Sequence, residues 1–191
     1  MRVVICSGVH DPALTRCFIQ QLGCSGLVTP PLIFPTATEP AYSGVHLLMM
    51  LRDRLRTESC DRALTVPLVF IGFSAGVLAA IVAAHAWQVG GGTVRALIAV
   101  DGWGVPLAGN FPIHRLSHDY FTHWSSALLG AGADRFYADP PIEHLDLWRS
   151  PHRAEGWWVR SLPGQPLTRT TAASFLTALL NRYTSTQSPL P

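Results

Sequence analysis

Continuous apolar runs, rather than alternating ones, carry the strand signal along this chain. Val3-Val4-Ile5-Cys6, Leu32-Ile33-Phe34, Leu68-Val69-Phe70-Ile71 and Ala96-Leu97-Ile98-Ala99-Val100 are short and contain no charged residue. That is the pattern of strands covered on both faces. Arg135-Phe136-Tyr137-Ala138 reads as a fifth and last strand, broken by Pro140-Pro141. Between the runs, apolar residues recur at helical spacing. Asp11-Pro12 starts the first helix as N-cap and first-turn proline, Leu14, Cys17, Phe18 and Leu22 mark its inner face, and Gly23 stops it. A second helix has Val45, Leu48, Met49 and Leu55 inward, with Arg52, Asp53, Arg54 and Arg56 on a solvated face. Residues 103–112 are rich in Gly and Pro and predict a loop. A helix over 117–129 is predicted next, with Leu116, Tyr120, Trp124 and Leu128 inward. The last helix, over 171–183, has Phe175, Leu176, Leu179, Leu180 and Tyr183 on one side, and the tail beyond 184 is expected to fray.

Strand and helix in alternation imply a parallel sheet with right-handed crossovers. The expected architecture is α/β: a single domain over residues 1–191, with about five parallel strands in the order 2-1-3-4-5 and helices on both faces. Chemistry in such a sheet collects at the carboxyl ends of the strands. Residues 7–10, Ser74, Asp101 and His144 are all expected at that rim.

Residues 66–88 organise the rest. They contain no Asp, Glu, Lys or Arg, and about 20 such residues suffice to cross a bilayer. A span is nevertheless not expected. The β-branched residues cluster at the front, small and polar residues sit together in the middle, and His85 would lie in lipid without a partner. The better reading is a buried strand turning sharply into an Ala-rich helix around Gly72-Phe73-Ser74-Ala75-Gly76. A tight strand-to-helix turn has no room for a Cβ beside its apex, and Gly72 and Gly76 meet that need. Ser74 would stand proud of the sheet at the positive end of the helix.

This G-x-S-x-G in strand–turn–helix context resembles the nucleophile elbow of the α/β-hydrolase superfamily, and the resemblance covers roughly residues 3–150. It implies a minimal, lidless lipase- or esterase-like member without the first antiparallel strands. A serine hydroxyl becomes a useful nucleophile when an imidazole takes its proton and an acid orients that imidazole. The family order serine, acid, histidine is met by Ser74, Asp101 and His144. Asp139, one strand later, is the alternative acid. It lies only five positions before His144 with two prolines between, which hinders convergence of the two side chains. His152 is the alternative base, and His10 either lines the site or caps the first helix. The resemblance further implies Ala75 and Val9 as oxyanion donors, with His10 as the less favoured alternative to Val9. Trp103, Trp148, Trp157 and Trp158 follow the candidate segments and offer an apolar wall for an acyl chain, although ordinary packing of the C-terminal segment is favoured.

Composition narrows the field. The chain has 191 residues, 48% hydrophobic and 14% charged, with a net charge of +2. Disorder and nucleic acid as a partner are not expected. Cys6, Cys17, Cys24 and Cys60 match no zinc or redox spacing and read as small buried apolar groups, which favours a reducing cytoplasm. The start of the chain is too short in apolar residues for a signal peptide. His114, His118 and His123 lack an acidic pair, so no metal is expected, and no cofactor either. The function expected is cleavage of a small ester or thioester with an apolar acyl group through an acyl-enzyme. The alternative is a non-catalytic protein of the same fold that binds an apolar ligand or a protein partner. A flavodoxin-like nucleotide binder is disfavoured, because residues 7–10 and the Gly90 run lack a phosphate-binding fingerprint.

Overall fold

The computed structural model describes residues 1–22, 29–59, 63–161 and 164–184. Gly23, Cys24, Cys60 and the tail beyond 184 lie outside them. A single sheet of eight strands runs through the molecule. In chain order the strands are β1 (Arg2–Cys6), β2 (Leu32–Ile33), β3 (Leu68–Phe73), β4 (Val94–Val100), β5 (Ile113–Ser117), β6 (Arg135–Ala138), β7 (Glu155–Val159) and β8 (Thr168–Thr171). Their spatial order is β2-β1-β3-β4-β5-β6-β7-β8. The first six are parallel, and β7 and β8 add an antiparallel edge.

The α/β class and the parallel sheet agree with expectation, whereas five strands was too few and their order was wrong. Residues 135–138 do not pair with β4. Strand β5 lies between them, in the stretch separating the loop expected over 103–112 from the helix expected over 117–129. Its polar residues hid it. His114 and Arg115 are both buried, but each is satisfied. The Arg115 guanidinium donates to the carbonyls of Val105, Leu129 and Gly130, and His114 bonds Tyr183 and Asp134. A buried strand can therefore carry charge without an apolar run.

Alternate residues of each central strand feed two separate cores. Val4, Phe70 and Leu97 face one side, against helices α2 (Gly44–Ser59) and α3 (Gly76–Val89). Val3, Ile5, Val69, Ile71 and Ile98 face the other, packed with residues of α1 (Pro12–Gln21), α5 (His144–Arg149) and α6 (Ala172–Thr184). Helices thus cover both faces, as expected. The last helix presents Phe175, Leu176, Leu179 and Leu180 inward as read from its spacing.

Two helices are rotated from their expected faces. In α2 the buried positions are Leu47, Leu51 and Leu55, leaving Val45 and Met49 exposed. In α4 (Tyr120–Ala127) the inward residues are Thr122, His123 and Ser126, while Tyr120, Trp124 and Leu128 are exposed. Asp119 caps this helix through Thr122 N–H, setting its start three residues later than expected. Cys17 is also exposed rather than inward. Thr15 takes the buried place in α1, where its hydroxyl accepts from Trp148 Nε1. No helix among the described residues is long and apolar enough to cross a membrane.

The buried histidines make the fold acid-sensitive. His114 Nδ1 accepts the Asp134 N–H, so a neutral ring keeps its proton on Nε2, donated to Tyr183 Oη. Burial lowers the pKa of His114 to about 4 and that of His123 to about 4. Their unfolded value is about 6.5. Because the folded pKa is the lower one, stability is full above pH 6.5 and falls as pH drops from there towards 4. The loss is up to about 1.4 kcal/mol per pH unit for each ring. Urea midpoints should fall steadily from pH 7 to pH 4.5, and His114→Gln should flatten roughly half of that slope. A midpoint constant over this range would contradict the assignment.

Candidate functional site

The turn after β3 is built by close backbone approach. Ser74 has φ of 52°, in the left-handed region, and its N–H donates to Val100 O. A Cβ on Gly72 would come 2.7 Å from Val77 Cα, and one on Gly76 would come 2.1 Å from Cys6 O. These glycines let α3 fold back against β1 immediately after the serine. Gly8 is also close, its missing Cβ 3.0 Å from Ser74 Cβ. The loop carrying Val9 is thus brought against the elbow. Ala75 is the N-cap of α3 and makes no side-chain capping bond.

Asp101 follows β4, also with a positive φ, of 50°. Its N–H donates to Leu116 O, which ties the turn to β5. The carboxylate is buried and receives three hydrogen bonds. His144 Nδ1 donates to Oδ2 at 2.8 Å, His118 Nδ1 to the same oxygen at 2.9 Å, and the His118 backbone N–H to Oδ1 at 2.9 Å. Burial alone would raise the Asp101 pKa. The hydrogen bonds from His118 and His144, with the charge of His118, outweigh it and hold the carboxyl below its ordinary value. The same bond to Asp101 raises the pKa of His118 against its own partial burial, helped by Asp119 and Glu143.

His144 opens α5, and a column of rings positions it. Phe18 stacks on Trp148 at 3.5 Å, Trp148 on Phe73 at 4.9 Å, and Phe73 on His144 at 4.7 Å between centroids. Phe73 precedes Ser74 directly, so one packed ring supports the imidazole and locates the serine. Stacked rings of this kind contribute about 0.5–1.5 kcal/mol per pair beyond their buried area. With Nδ1–H given to Asp101, the neutral His144 ring carries its lone pair on Nε2.

Ser74, Asp101, His118 and His144 line one cavity of about 410 Å3, whose remaining wall includes Tyr42, Leu78, Trp103 and Val105. Among the described residues no hydrogen bond joins the Ser74 hydroxyl to either imidazole. Such bonds are often long in unliganded sites and tighten with substrate.

Asp139 and His152 are engaged elsewhere, and the ring of His10 packs edge-on against Phe73. Asp139 accepts from Trp157 Nε1, His152 bonds Gln21, and His10 Nδ1 donates to Asp11 O. Of the tryptophans expected nearby, Trp103 reaches the cavity, Trp148 and Trp158 are packed inside, and Trp157 lies on β7 under Arg169. The residue missed by sequence reasoning is His118. Its signal was its position directly after a strand, and that strand went unseen. Among the described residues, His118, Asp101 and His144 also form a group able to hold a metal ion, with one ligand atom from each lying within 4.8 Å of the others. His114 and His123 take no part in that group. Neither a protein-family model nor a curated protein sequence matches this chain.

Proposed function

We propose that this chain is a serine hydrolase of the α/β-hydrolase kind, cleaving an ester or thioester with an apolar acyl group through an acyl-enzyme on Ser74. The observation that carries the reading is the 2.8 Å bond from His144 Nδ1 to the buried Asp101 carboxylate, on the wall of a cavity shared with Ser74. In this scheme His144 Nε2 takes the Ser74 proton as Oγ attacks the carbonyl carbon. The N–H groups of Ala75 and Val9 hold the oxyanion, at the positive end of α3. His144 then protonates the leaving alcohol or thiol, and a water activated by the same ring releases the acid. Asp101 orients the ring and stabilises its charged form. The apolar side chains of Tyr42, Leu78, Trp103 and Val105 suit an acyl chain rather than a charged substrate.

The test is hydrolysis of p-nitrophenyl butyrate. A burst of about one nitrophenolate per chain is expected wherever deacylation is the slower step. His152→Ala should match the unmodified protein within about twofold, since only a surface bond to Gln21 is lost. A folded protein that releases no nitrophenolate from this or shorter esters would overturn the reading in favour of a binding protein.

A further inference from the structure

Two imidazoles share one carboxylate oxygen here, whereas a serine hydrolase needs one. We propose that Asp101, His118 and His144 form a binding site for zinc-class divalent ions, and that an ion bound there switches off the chemistry of Ser74. The second half of this rests on the hydrolase reading, and the first half does not. The three donor atoms, Asp101 Oδ2 and both Nδ1 atoms, come from separate segments: after β4, after β5 and at the start of α5. Each nitrogen already lies 2.8–2.9 Å from the oxygen. Around zinc, with bonds of about 2.0–2.1 Å, tetrahedral donors stand roughly 3.3 Å apart. Each nitrogen–oxygen distance must open by a fraction of an ångström, and the three ligand atoms already lie within 4.8 Å of one another, on two rings that are partly exposed. The ring planes are nearly perpendicular, at 81°, so the two nitrogens approach one point from different directions.

The surroundings support coordination as well. His118 Nε2 lies 3.7 Å from Asp119 Oδ2, too far for a hydrogen bond but close enough for the carboxylate to favour a proton on Nε2 and leave the Nδ1 lone pair for an ion. Asp101 Oδ1 is held by the His118 N–H, which leaves Oδ2 for the ion. The fourth position opens onto the cavity, where a water fits. Coordination replaces both Nδ1–H bonds, and each neutral ring then carries its one proton on Nε2. The His144 Nε2 lone pair is thereby lost as acceptor for the Ser74 proton. Metal binding and ester turnover become mutually exclusive.

The test uses the full chain, freed of metal with a chelator, and titrated with Co²⁺. Visible d–d bands of a four-coordinate ion are expected at one ion per chain. Ser74→Ala should bind cobalt as the unmodified protein does, and His118→Asn should bind at least about tenfold more weakly. Saturating zinc should slow ester hydrolysis about tenfold or more, and His118→Asn should lose most of that sensitivity relative to its own metal-free rate. If His118→Asn does not fold, as judged by circular dichroism, His144→Asn replaces it in the cobalt titration. Absence of d–d bands in folded protein, or equal metal affinity in the variants, overturns the site. Cobalt binding without any esterase activity upholds the site and removes the hydrolase reading. Hydrolysis that is insensitive to saturating zinc upholds the hydrolase reading and overturns the switch.

Discussion

Ser74→Ala should lower hydrolysis of short p-nitrophenyl esters by at least about a thousandfold, while the urea midpoint stays nearly unchanged. The hydroxyl makes no hydrogen bond among the described residues, and alanine keeps the left-handed backbone no worse than serine does. Little folding energy is therefore at stake. His144→Ala should cost a similar factor, and the double variant should be no slower than either single one. In the proposed mechanism nucleophile and base act as one unit, so removing the second member after the first should remove nothing more. Retained activity in Ser74→Ala, measured on protein purified away from host esterases, would end the assignment. A double variant much slower than both singles would show that the two residues act independently.

The second large effect is on stability. Gly76→Ala places a methyl group 2.1 Å from the carbonyl oxygen of Cys6 and 2.6 Å from that of Ser7. Both obstacles are backbone in the central strand region, so no side chain can swing aside. Helix α3 must be pushed off β1, opening the core between them. Overpacking commonly costs 1–3 kcal/mol, and with backbone on both sides about 3 kcal/mol or more is expected. Gly91→Ala provides the contrast. At φ of +90° nothing lies within 4 Å of the added methyl, so only conformational strain of about 1–2 kcal/mol remains. Chemical denaturation of both variants measures the difference. Equal, small losses would mean that the tight approach of α3 to β1 is not what the elbow depends on.

The parts legible in the sequence are those where one physical demand dominates. Strands β1, β3 and β4 are covered on both faces, and only uninterrupted apolar runs satisfy that, so they stood out. The elbow was legible because close backbone approach leaves glycine as the residue that fits at 72 and 76. Asp101 and His144 were singled out by their positions after elements already identified, and the structure brings them within 2.8 Å of each other. Where burial is met by specific polar partners, the pattern gave no sign. Strand β5 buries His114 and Arg115, whose partners are carbonyls and side chains distant in sequence. Missing β5 meant missing His118 at its end. The antiparallel strands were hidden for another reason: β7 contains Gly156, which has no room for a Cβ beside Tyr137 O, and β8 is only four residues long. The face of α2 was misplaced because hydrophobic residues are plentiful on both of its sides, and that of α4 because its buried positions are the polar Thr122, His123 and Ser126 while its aromatic residues are exposed. Tyr42, Trp103, Tyr120, Phe121 and Trp124 remain exposed around and beyond the cavity, an arrangement no inside-outside rule anticipates.

The most direct measurement is the site of covalent capture. Brief exposure of the protein to a fluorophosphonate, followed by peptide mass spectrometry, should find a single adduct on Ser74, and the adduct should be missing in His144→Ala, where the hydroxyl has lost its base. Folded protein that emerges unlabelled, or is labelled on another residue with Ser74 untouched, would contradict the account.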